Sequence, residues 1–174
     1  MLQIPTPLAS RDGIDGAEFI IIAANDQKEF KMTRAAAKMS QLLTGFLEEA
    51  DPLIVVPLGE VDSETAALVV AFVEHHKDNP LGALPRPLRG KVDSVLSEWD
   101  RELVNTHLVV GGDERQHQQL LALMNAANFM DIGELMDFTC ANFASLLLDK
   151  NAKQIQELLG LPEEGVITDG EPIP

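Results

Sequence analysis

Few residues of this 174-residue sequence have the type and spacing that chemistry requires. The single cysteine, Cys140, lies within an apolar helical pattern, and no His or basic residue at a nearby helical position would favour its thiolate. His75 and His76 are adjacent, so their rings point in different directions on a helix, and no third metal ligand accompanies them. We therefore expect Cys140 to serve packing or contact, and we expect no metal site.

Other candidate sites fail for the same reason of spacing. The pairs Glu48-Glu49 and Glu163-Glu164 consist of adjacent residues that diverge, which is typical of solvated charge. Gly111-Gly112 lacks the flanking residues of either common phosphate-binding fingerprint. The sequence thus predicts neither catalytic residues nor a cofactor, and we expect the protein not to be an enzyme.

Composition narrows the classes of partner. A formal net charge of -15 argues against nucleic acid, because phosphate binding needs clustered Lys and Arg. The hydrophobic fraction of 45% is typical of a globular protein, and no apolar run approaches the length of a membrane span. The first residues lack the basic start and apolar core of a secretory signal. We expect no nucleic acid or membrane partner, and a cytoplasmic or nuclear location.

The elements that position any binding residues begin after an N-terminal arm, residues 1–16, which we expect to be flexible. The run from Phe19 to Ile22 is β-prone, Asn25-Asp26 is a turn signal, and Glu29 to Met32 alternates polar and apolar residues. Together these segments predict a β-hairpin.

Helices and one more strand follow the hairpin. Thr33 and Ser40 are suited to cap two short helices. Leu53 to Val56, bounded by prolines, predicts a fully buried third strand, and a largely buried helix starts at Asp62 or Ser63. A small sheet with packed helices is an α+β arrangement.

The middle of the chain is less regular. Residues 81–94 are rich in proline and glycine and predict a linker. Ser97 is suited to cap a helix in which Trp99 is a core anchor. Within residues 105–118, we interpret the stretch 109–113 as an inserted loop.

The densest apolar pattern predicts three C-terminal helices. The first is short and apolar, carries Leu120 and closes near Phe129. The second runs from about residue 132 to 148, and Asp131 with Glu134 resembles a capping box. A similar start at residue 151 begins the third helix. The apolar face of the second helix comprises Ile132, Leu135, Met136, Cys140, Phe143, Leu146 and Leu147.

Four motifs resemble the S-phase-kinase-associated adaptor family, whose members link F-box proteins to a cullin in SCF-type ubiquitin ligases. The most specific is AANFMDIGELMDFTCANFA at residues 126–144. VPLGEV at residues 56–61, HHKDNP at residues 75–80 and WDRE at residues 99–102 are similar to further family motifs in the same order. The resemblance covers most of residues 19–161.

The resemblance implies an α+β fold of the BTB/POZ type, with a small three-stranded sheet and packed helices, followed by a C-terminal helical F-box-binding appendage. The BTB/POZ core would span residues 17–80. Residues 95–161 would complete that domain and form the helical dimerisation region of the family, and residues 162–174 would be a flexible tail. Family members usually continue into a longer acidic stretch and a last helix, whereas the residues after Leu161 have no helical periodicity. We therefore expect an altered choice of partner or weaker binding.

The resemblance also implies two partner surfaces. Asn128 and Phe129 would contact a cullin, and Phe129 usually has a Tyr counterpart in the family. Without the resemblance, an aromatic residue at helical spacing would be assigned to the core. The F-box surface would comprise Leu120, Met124, Met136, Cys140, Phe143 and Leu147.

A physical argument agrees with the second surface. A helical appendage can bury only one side, yet the second helix is apolar over more than a narrow stripe, and large exposed apolar patches usually mark interfaces. The implied function is non-catalytic bridging of a cullin and F-box proteins. Two alternatives stay open: a structural subunit of a non-ligase complex of the centromere, cytoskeleton or elongin-C type, and a self-associating BTB module that forms a homodimer without an F-box partner.

Overall fold

The computed structural model describes residues 2–47, 53–88, 90–108, 114–148 and 150–159, and the side chains of residues 114–116 are not described. Sheet and helices share one core, as expected for an α+β fold. In chain order the elements are β1 (Phe19–Ala24), β2 (Glu29–Thr33), α1 (Arg34–Ala37), α2 (Gln41–Leu47), β3 (Val55–Leu58), α3 (Ser63–His76), a 3₁₀ turn (Val92–Ser94), α4 (Glu98–Leu103), a π-helical turn (Val104–Leu108), α5 (Glu114–Phe129), α6 (Gly133–Leu147) and α7 (Ala152–Leu158).

The three strands form a sheet in the order β2-β1-β3. β1 pairs antiparallel with β2, from Phe19 opposite Thr33 to Ala23 opposite Glu29, which confirms the predicted hairpin. β1 also pairs in parallel with β3. Residues 20–22 are fully buried because β1 is the central strand and both of its faces are covered.

The third strand differs from its prediction. It spans Val55–Leu58 rather than residues 53–56, and it is not fully buried, because Pro57 is exposed. The prediction used Pro57 as a boundary, since proline cannot donate to a ladder. β3 is an edge strand that bonds only to β1, so it tolerates proline within it.

The predicted buried helix is confirmed as α3, whose residues 65–73 are all buried. Asp62 caps it by accepting the Thr65 N–H at 2.8 Å. The helix packs against β2, α1 and α5, so it is covered on most sides. Within the described ranges, no helix has both the length and the hydropathy needed to cross a lipid bilayer.

Two further predicted caps are confirmed before the C-terminal helices. The Thr33 side chain accepts the Ala36 N–H at the start of α1. Ser97 and Asp100 form a reciprocal capping box at the start of α4. The predicted inserted loop, residues 109–113, lies outside the described residues.

The N-terminal arm contacts the folded domain at several points. Leu8 N–H donates to the Glu29 carbonyl of the edge strand β2 at 2.7 Å, and Arg11 pairs with the Glu29 side chain. Leu2 N–H donates to the Glu102 carboxylate at 3.1 Å. The flexibility of residues 1–16 stays a prediction.

Candidate functional site

The candidate site is built around the turn that joins α5 to α6. Ile132 N–H donates to the Ala127 carbonyl at 2.9 Å, and Asp131 N–H donates to the Asn128 carbonyl at 3.2 Å. These two bonds define a Schellman motif, in which Asp131 holds the left-handed position with φ of 50°. Asp tolerates this conformation better than most residues with a Cβ. The motif ends α5, and α6 then packs against it.

The predicted capping box at the start of α6 is wrong. The N-cap of α6 is Ile132, which makes no side-chain capping bond, and Asp131 belongs to the end of α5. The Glu134 carboxylate accepts the Leu81 N–H at 2.9 Å instead. An acidic residue before an apolar helix resembles a cap, but a left-handed turn also selects Asp, and here the turn uses it.

The turn is fastened to the start of α2. The Ser40 hydroxyl donates to the Met130 carbonyl at 2.6 Å and accepts the Leu43 N–H at 3.1 Å, which confirms Ser40 as a helix cap. Gln41 N–H donates to the Asp131 carbonyl at 3.1 Å. Ser40 is 1% exposed, so water does not compete for these bonds. The end of α5 therefore has a fixed position relative to the sheet domain.

Both residues predicted to contact a cullin are exposed at this end of α5. Asn128 is exposed, and Phe129 is 41% exposed although the next residue, Met130, is fully buried. The alternative assignment of Phe129 to the core is therefore wrong. The ring is accessible to a partner, and whether a cullin contacts it stays a prediction.

The face that α6 buries is not the face that its apolar pattern suggests. Its buried residues are Leu135, Phe138, Thr139 and Asn142 in addition to the capping Ile132. The Thr139 hydroxyl donates to the Leu135 carbonyl at 2.9 Å, and the Asn142 amide donates to the Phe138 carbonyl at 2.8 Å. These bonds give the Thr139 hydroxyl and the Asn142 amide nitrogen a partner within the helix, whereas the Asn142 Oδ1 is buried without a hydrogen-bond partner among the described residues. Of the predicted apolar stripe, Ile132 and Leu135 are buried, and the remaining residues form a half-buried to exposed stripe at the edge of the core.

That stripe forms the open face of α6. Cys140 on it is exposed, and Met136, Phe143, Leu146 and Leu147 are half-buried. The Cys140 Sγ lies 3.6 Å from the Met136 Sδ and 4.0 Å from the Sδ of Met124, which α5 contributes. Five of the six residues predicted for F-box contact thus share one surface, which we call the open face: Met124, Met136, Cys140, Phe143 and Leu147.

Leu120, the sixth predicted F-box residue, does not lie on this surface. It is fully buried, together with Leu123 and Ala127 on the same side of α5. The helical pattern places Leu120 and Met124 within one stripe, but α5 is rotated so that only Met124 reaches the edge of the core. Leu120 therefore supports the surface from inside.

α7 leaves its apolar side without a covering layer among the described residues. Asn151 and Gln154 form the predicted capping box. Ile155, Leu158 and Leu159 are only half-buried, and the helix has no buried residue. The glycine and proline at positions 160 and 162, which in sequence indicate the end of this helix, lie outside the described residues. A short helix with no buried side chain gains little from packing in the isolated chain.

The rings of the paired histidines of α3 do not point apart as their spacing predicted, because their centroids are 5.0 Å apart and both rings lie beside Trp99. Their rings meet edge to face at 89°. The His75 ring stacks on Trp99 with 4.0 Å between ring centroids, and burial, with a contribution from His76, lowers the pKa of His75. Among the described residues, no three His, Cys, Asp or Glu side chains cluster as metal ligands would.

His76 instead belongs to a buried polar group beneath α4. Its Nε2 lies 3.0 Å from the Asp100 carboxylate, and its Nδ1 lies 2.7 Å from the Asn79 carbonyl. Both partners of the ring are hydrogen-bond acceptors, so each ring nitrogen faces an oxygen atom. Burial raises the pKa of Asp100, but hydrogen bonds from His76 and Ser97 outweigh it, so the pKa lies below its usual value.

Comparison with known proteins shows which proteins this chain resembles. The Skp1 family, tetramerisation domain, matches residues 18–78, which hold all three strands and α1 to α3. "Suppressor of kinetochore protein 1" of Schizosaccharomyces pombe is 25% identical over 148 residues, covering 83% of this chain and 86% of the relative. "E3 ubiquitin ligase complex SCF subunit sconC" of Emericella nidulans is 22% identical over 148 residues, covering 84% and 86%.

Residues 18–78 of this chain thus match the tetramerisation domain of the Skp1 family. A third relative, "S-phase kinase-associated protein 1 homolog" of Tetrahymena thermophila, is 22% identical over 150 residues and covers 86% of both chains. The family confirms the resemblance found in the motifs and the α+β fold with a C-terminal helical region. The domain boundaries at residues 16, 80, 94 and 161 stay a prediction.

Proposed function

We propose that this chain is a non-catalytic adaptor that bridges a cullin scaffold and F-box proteins in an SCF-type ubiquitin ligase. The observation that carries the proposal is similarity over more than four-fifths of the chain to relatives named as SCF subunits. An adaptor needs two separate surfaces. The exposed end of α5 and the open face support this requirement, because different residues form them.

The cullin surface of the proposal is centred on Asn128 and Phe129. An exposed aromatic ring on a turn that Ser40 holds in place is preorganised for contact, which lowers the entropic cost of binding. Aromatic side chains are also enriched among residues that dominate binding energy.

The F-box surface of the proposal is the open face, with Leu120 as internal support. The open face combines apolar side chains from α5 and α6. Its Met side chains are flexible and polarizable, so they can adapt to the shapes of different partners. The half-buried apolar residues of α7 are a second apolar surface of the same C-terminal region. A protein partner explains why these side chains remain uncovered in the isolated chain.

The proposal is tested with two matched pairs of partners and variants. Asn128→Lys/Phe129→Lys should weaken binding to a cullin N-terminal region by about 100-fold, typical of a lost hot spot, and leave F-box binding unchanged. Cys140→Arg/Phe143→Arg should have the opposite effect. Val95→Lys is the control, because Val95 is also an exposed apolar residue, at 43%, but lies in neither surface.

Circular dichroism must show that every variant is folded, and isothermal titration calorimetry gives the affinities. Failure of the wild-type protein to bind either partner at tens of micromolar would remove the ligase adaptor. In that case the structural-subunit alternative would become the better proposal. The name of the Schizosaccharomyces pombe relative, which refers to the kinetochore, is consistent with that alternative. The relatives named as SCF subunits favour the adaptor.

Self-association and location complete the proposal. A homodimer would cover the open face when no F-box protein is present, and light scattering at several concentrations measures it. We place the adaptor in the cytoplasm or the nucleus, on the composition alone, and fractionation of cells that express a tagged chain tests the location.

A further inference from the structure

The linker between α3 and α4 is attached to one side of α6. Three polar contacts join them: Leu81 N–H to the Glu134 carboxylate at 2.9 Å, the Arg86 guanidinium to the Asp137 carboxylate, and Val92 N–H to the Ser145 hydroxyl at 3.2 Å. The contacts follow the same order in the linker and in the helix, so the two segments run in the same direction. The linker is therefore a strap along α6.

The strap is anchored in the core at its far end. Val92 is 1% exposed, and Leu81, Leu84 and Leu88 pack against the core with part of their surface. The Ser145 contact thus connects the C-terminal half of α6 to a residue that is itself fixed. That half needs support, because Phe143 and its later apolar neighbours are only half-buried.

α6 consequently has three distinct sides. With 3.6 residues per turn, the buried side, the strapped side and the open face lie about one third of a turn apart. Glu134, Asp137 and Ser145 share the strapped side. Rotation of α6 that would bury the open face must break the strap contacts.

We propose that the linker is a positioning element, which holds α6 in the rotation that presents the open face to an F-box protein. The identity of the partner rests on the proposed function, whereas the fastening of α6 does not. Without the strap, the competent orientation is populated for a smaller fraction of time, and the apparent affinity falls by that fraction.

An exchange of the charges at residues 86 and 137 tests whether the strap holds α6, because the double variant contains the same two side chains in swapped positions. Arg86→Asp and Asp137→Arg each place like charges together, and the double exchange restores an opposite pair. Exposed pairs of this kind are individually weak, so each single variant should bind F-box domains about three- to fivefold more weakly. Glu134→Ala should weaken binding similarly, while Glu134→Gln keeps an acceptor for the Leu81 N–H and should not.

The probes are F-box domains encoded in the same genome as this chain, fused to maltose-binding protein, and a cullin N-terminal region. Surface plasmon resonance should assign the loss to the association rate, because positioning changes the competent fraction rather than the contacts made after binding. Hydrogen exchange of residues 143–147 in the free chain should accelerate by a similar factor. Cullin affinity should not change.

The double exchange decides the outcome. Restored association rates and restored exchange protection support the positioning role. A double exchange that binds no better than the single variants, a loss confined to the dissociation rate, or unchanged exchange in α6 overturns it. If the wild-type chain binds no F-box domain, the proposed function fails, and the exchange measurement on the free chain alone decides whether the strap fixes α6.

Discussion

Ser40→Ala should be unusually costly for the loss of one small hydroxyl. The hydroxyl caps α2 through the Leu43 N–H and also donates to the Met130 carbonyl in the turn after α5. A lost N-cap costs about 1 kcal/mol. The Met130 carbonyl would keep only the longer bond from the Leu42 N–H at 3.4 Å, and the loss of the main donor to a buried carbonyl costs about 1–3 kcal/mol. We expect the free energy of unfolding to fall by about 2–4 kcal/mol, because Ser40 is buried and Ala leaves almost no cavity.

Urea unfolding monitored by circular dichroism measures this loss, provided that the slope with denaturant does not change. Asp62→Ala is the matched control, since Asp62 caps α3 from an exposed position and its carboxylate bonds to Thr65 of the same helix. It should cost only about 1 kcal/mol. A Ser40→Ala loss no larger than that of the control would refute the claim that Ser40 fastens the α5–α6 turn.

Three further outcomes concern stability. Asp100→Asn should cost about 1–3 kcal/mol, because the Asn side chain has one acceptor oxygen where the buried carboxylate uses two, one toward His76 and one toward the Ser97 hydroxyl. Since folding lowers the pKa of Asp100 from 3.8, its contribution is present above pH 3.8 and disappears as the pH falls through the folded-state value. The variant should therefore lose stability with acid less steeply below pH 3.8, by up to about 1.4 kcal/mol per pH unit. An equal acid slope in urea titrations would contradict this. Asp131→Val should cost about 1–2 kcal/mol at its positive φ while Asp131→Gly should not, and equal thermal melts would contradict the left-handed turn. Leu120→Ala should cost about 2–5 kcal/mol and Cys140→Ser less than about 0.5, and similar losses would contradict their different burial.

Much of the sheet domain was predictable because local signals and tertiary structure agree there. The hairpin, the caps at Thr33, Ser40 and Ser97, and the buried α3 follow from patterns that act over a few residues. The third strand was misplaced by two residues because Pro57 is compatible with an edge strand, and strand order cannot be inferred from the proline itself.

The sides of α6 were not predictable from apolar periodicity. Thr139 and Asn142 are buried because each bonds to a carbonyl of its own helix, and this pattern looks polar in the sequence. The family resemblance assigns the apolar stripe to a partner surface, whereas the periodicity alone would have assigned it to the core, and contact with a partner stays a prediction. The assignment of Leu120 to the F-box surface was wrong because a small rotation of α5 decides whether Leu120 or Met124 is buried in the core.

The contacts of the linker could not be predicted from the sequence, for a different reason. Its proline and glycine content predicts irregular backbone, and the backbone is indeed irregular over residues 81–88. Its contacts with α6 join residues 51–53 positions apart, as with Val92 and Ser145, so no local pattern encodes them. Two of the three use backbone N–H groups, which every residue except proline supplies.

The central claim is that one copy of this chain holds a cullin and an F-box protein at the same time. The most direct test is calorimetric titration of a cullin N-terminal region into the chain, first alone and then saturated with an F-box domain, with the masses of the complexes measured by light scattering. We expect a ternary complex with one copy of each protein, and a cullin affinity at least as high in the presence of the F-box domain as in its absence. Mutual exclusion of the two partners, or the absence of cullin binding by a folded monomer, would contradict it.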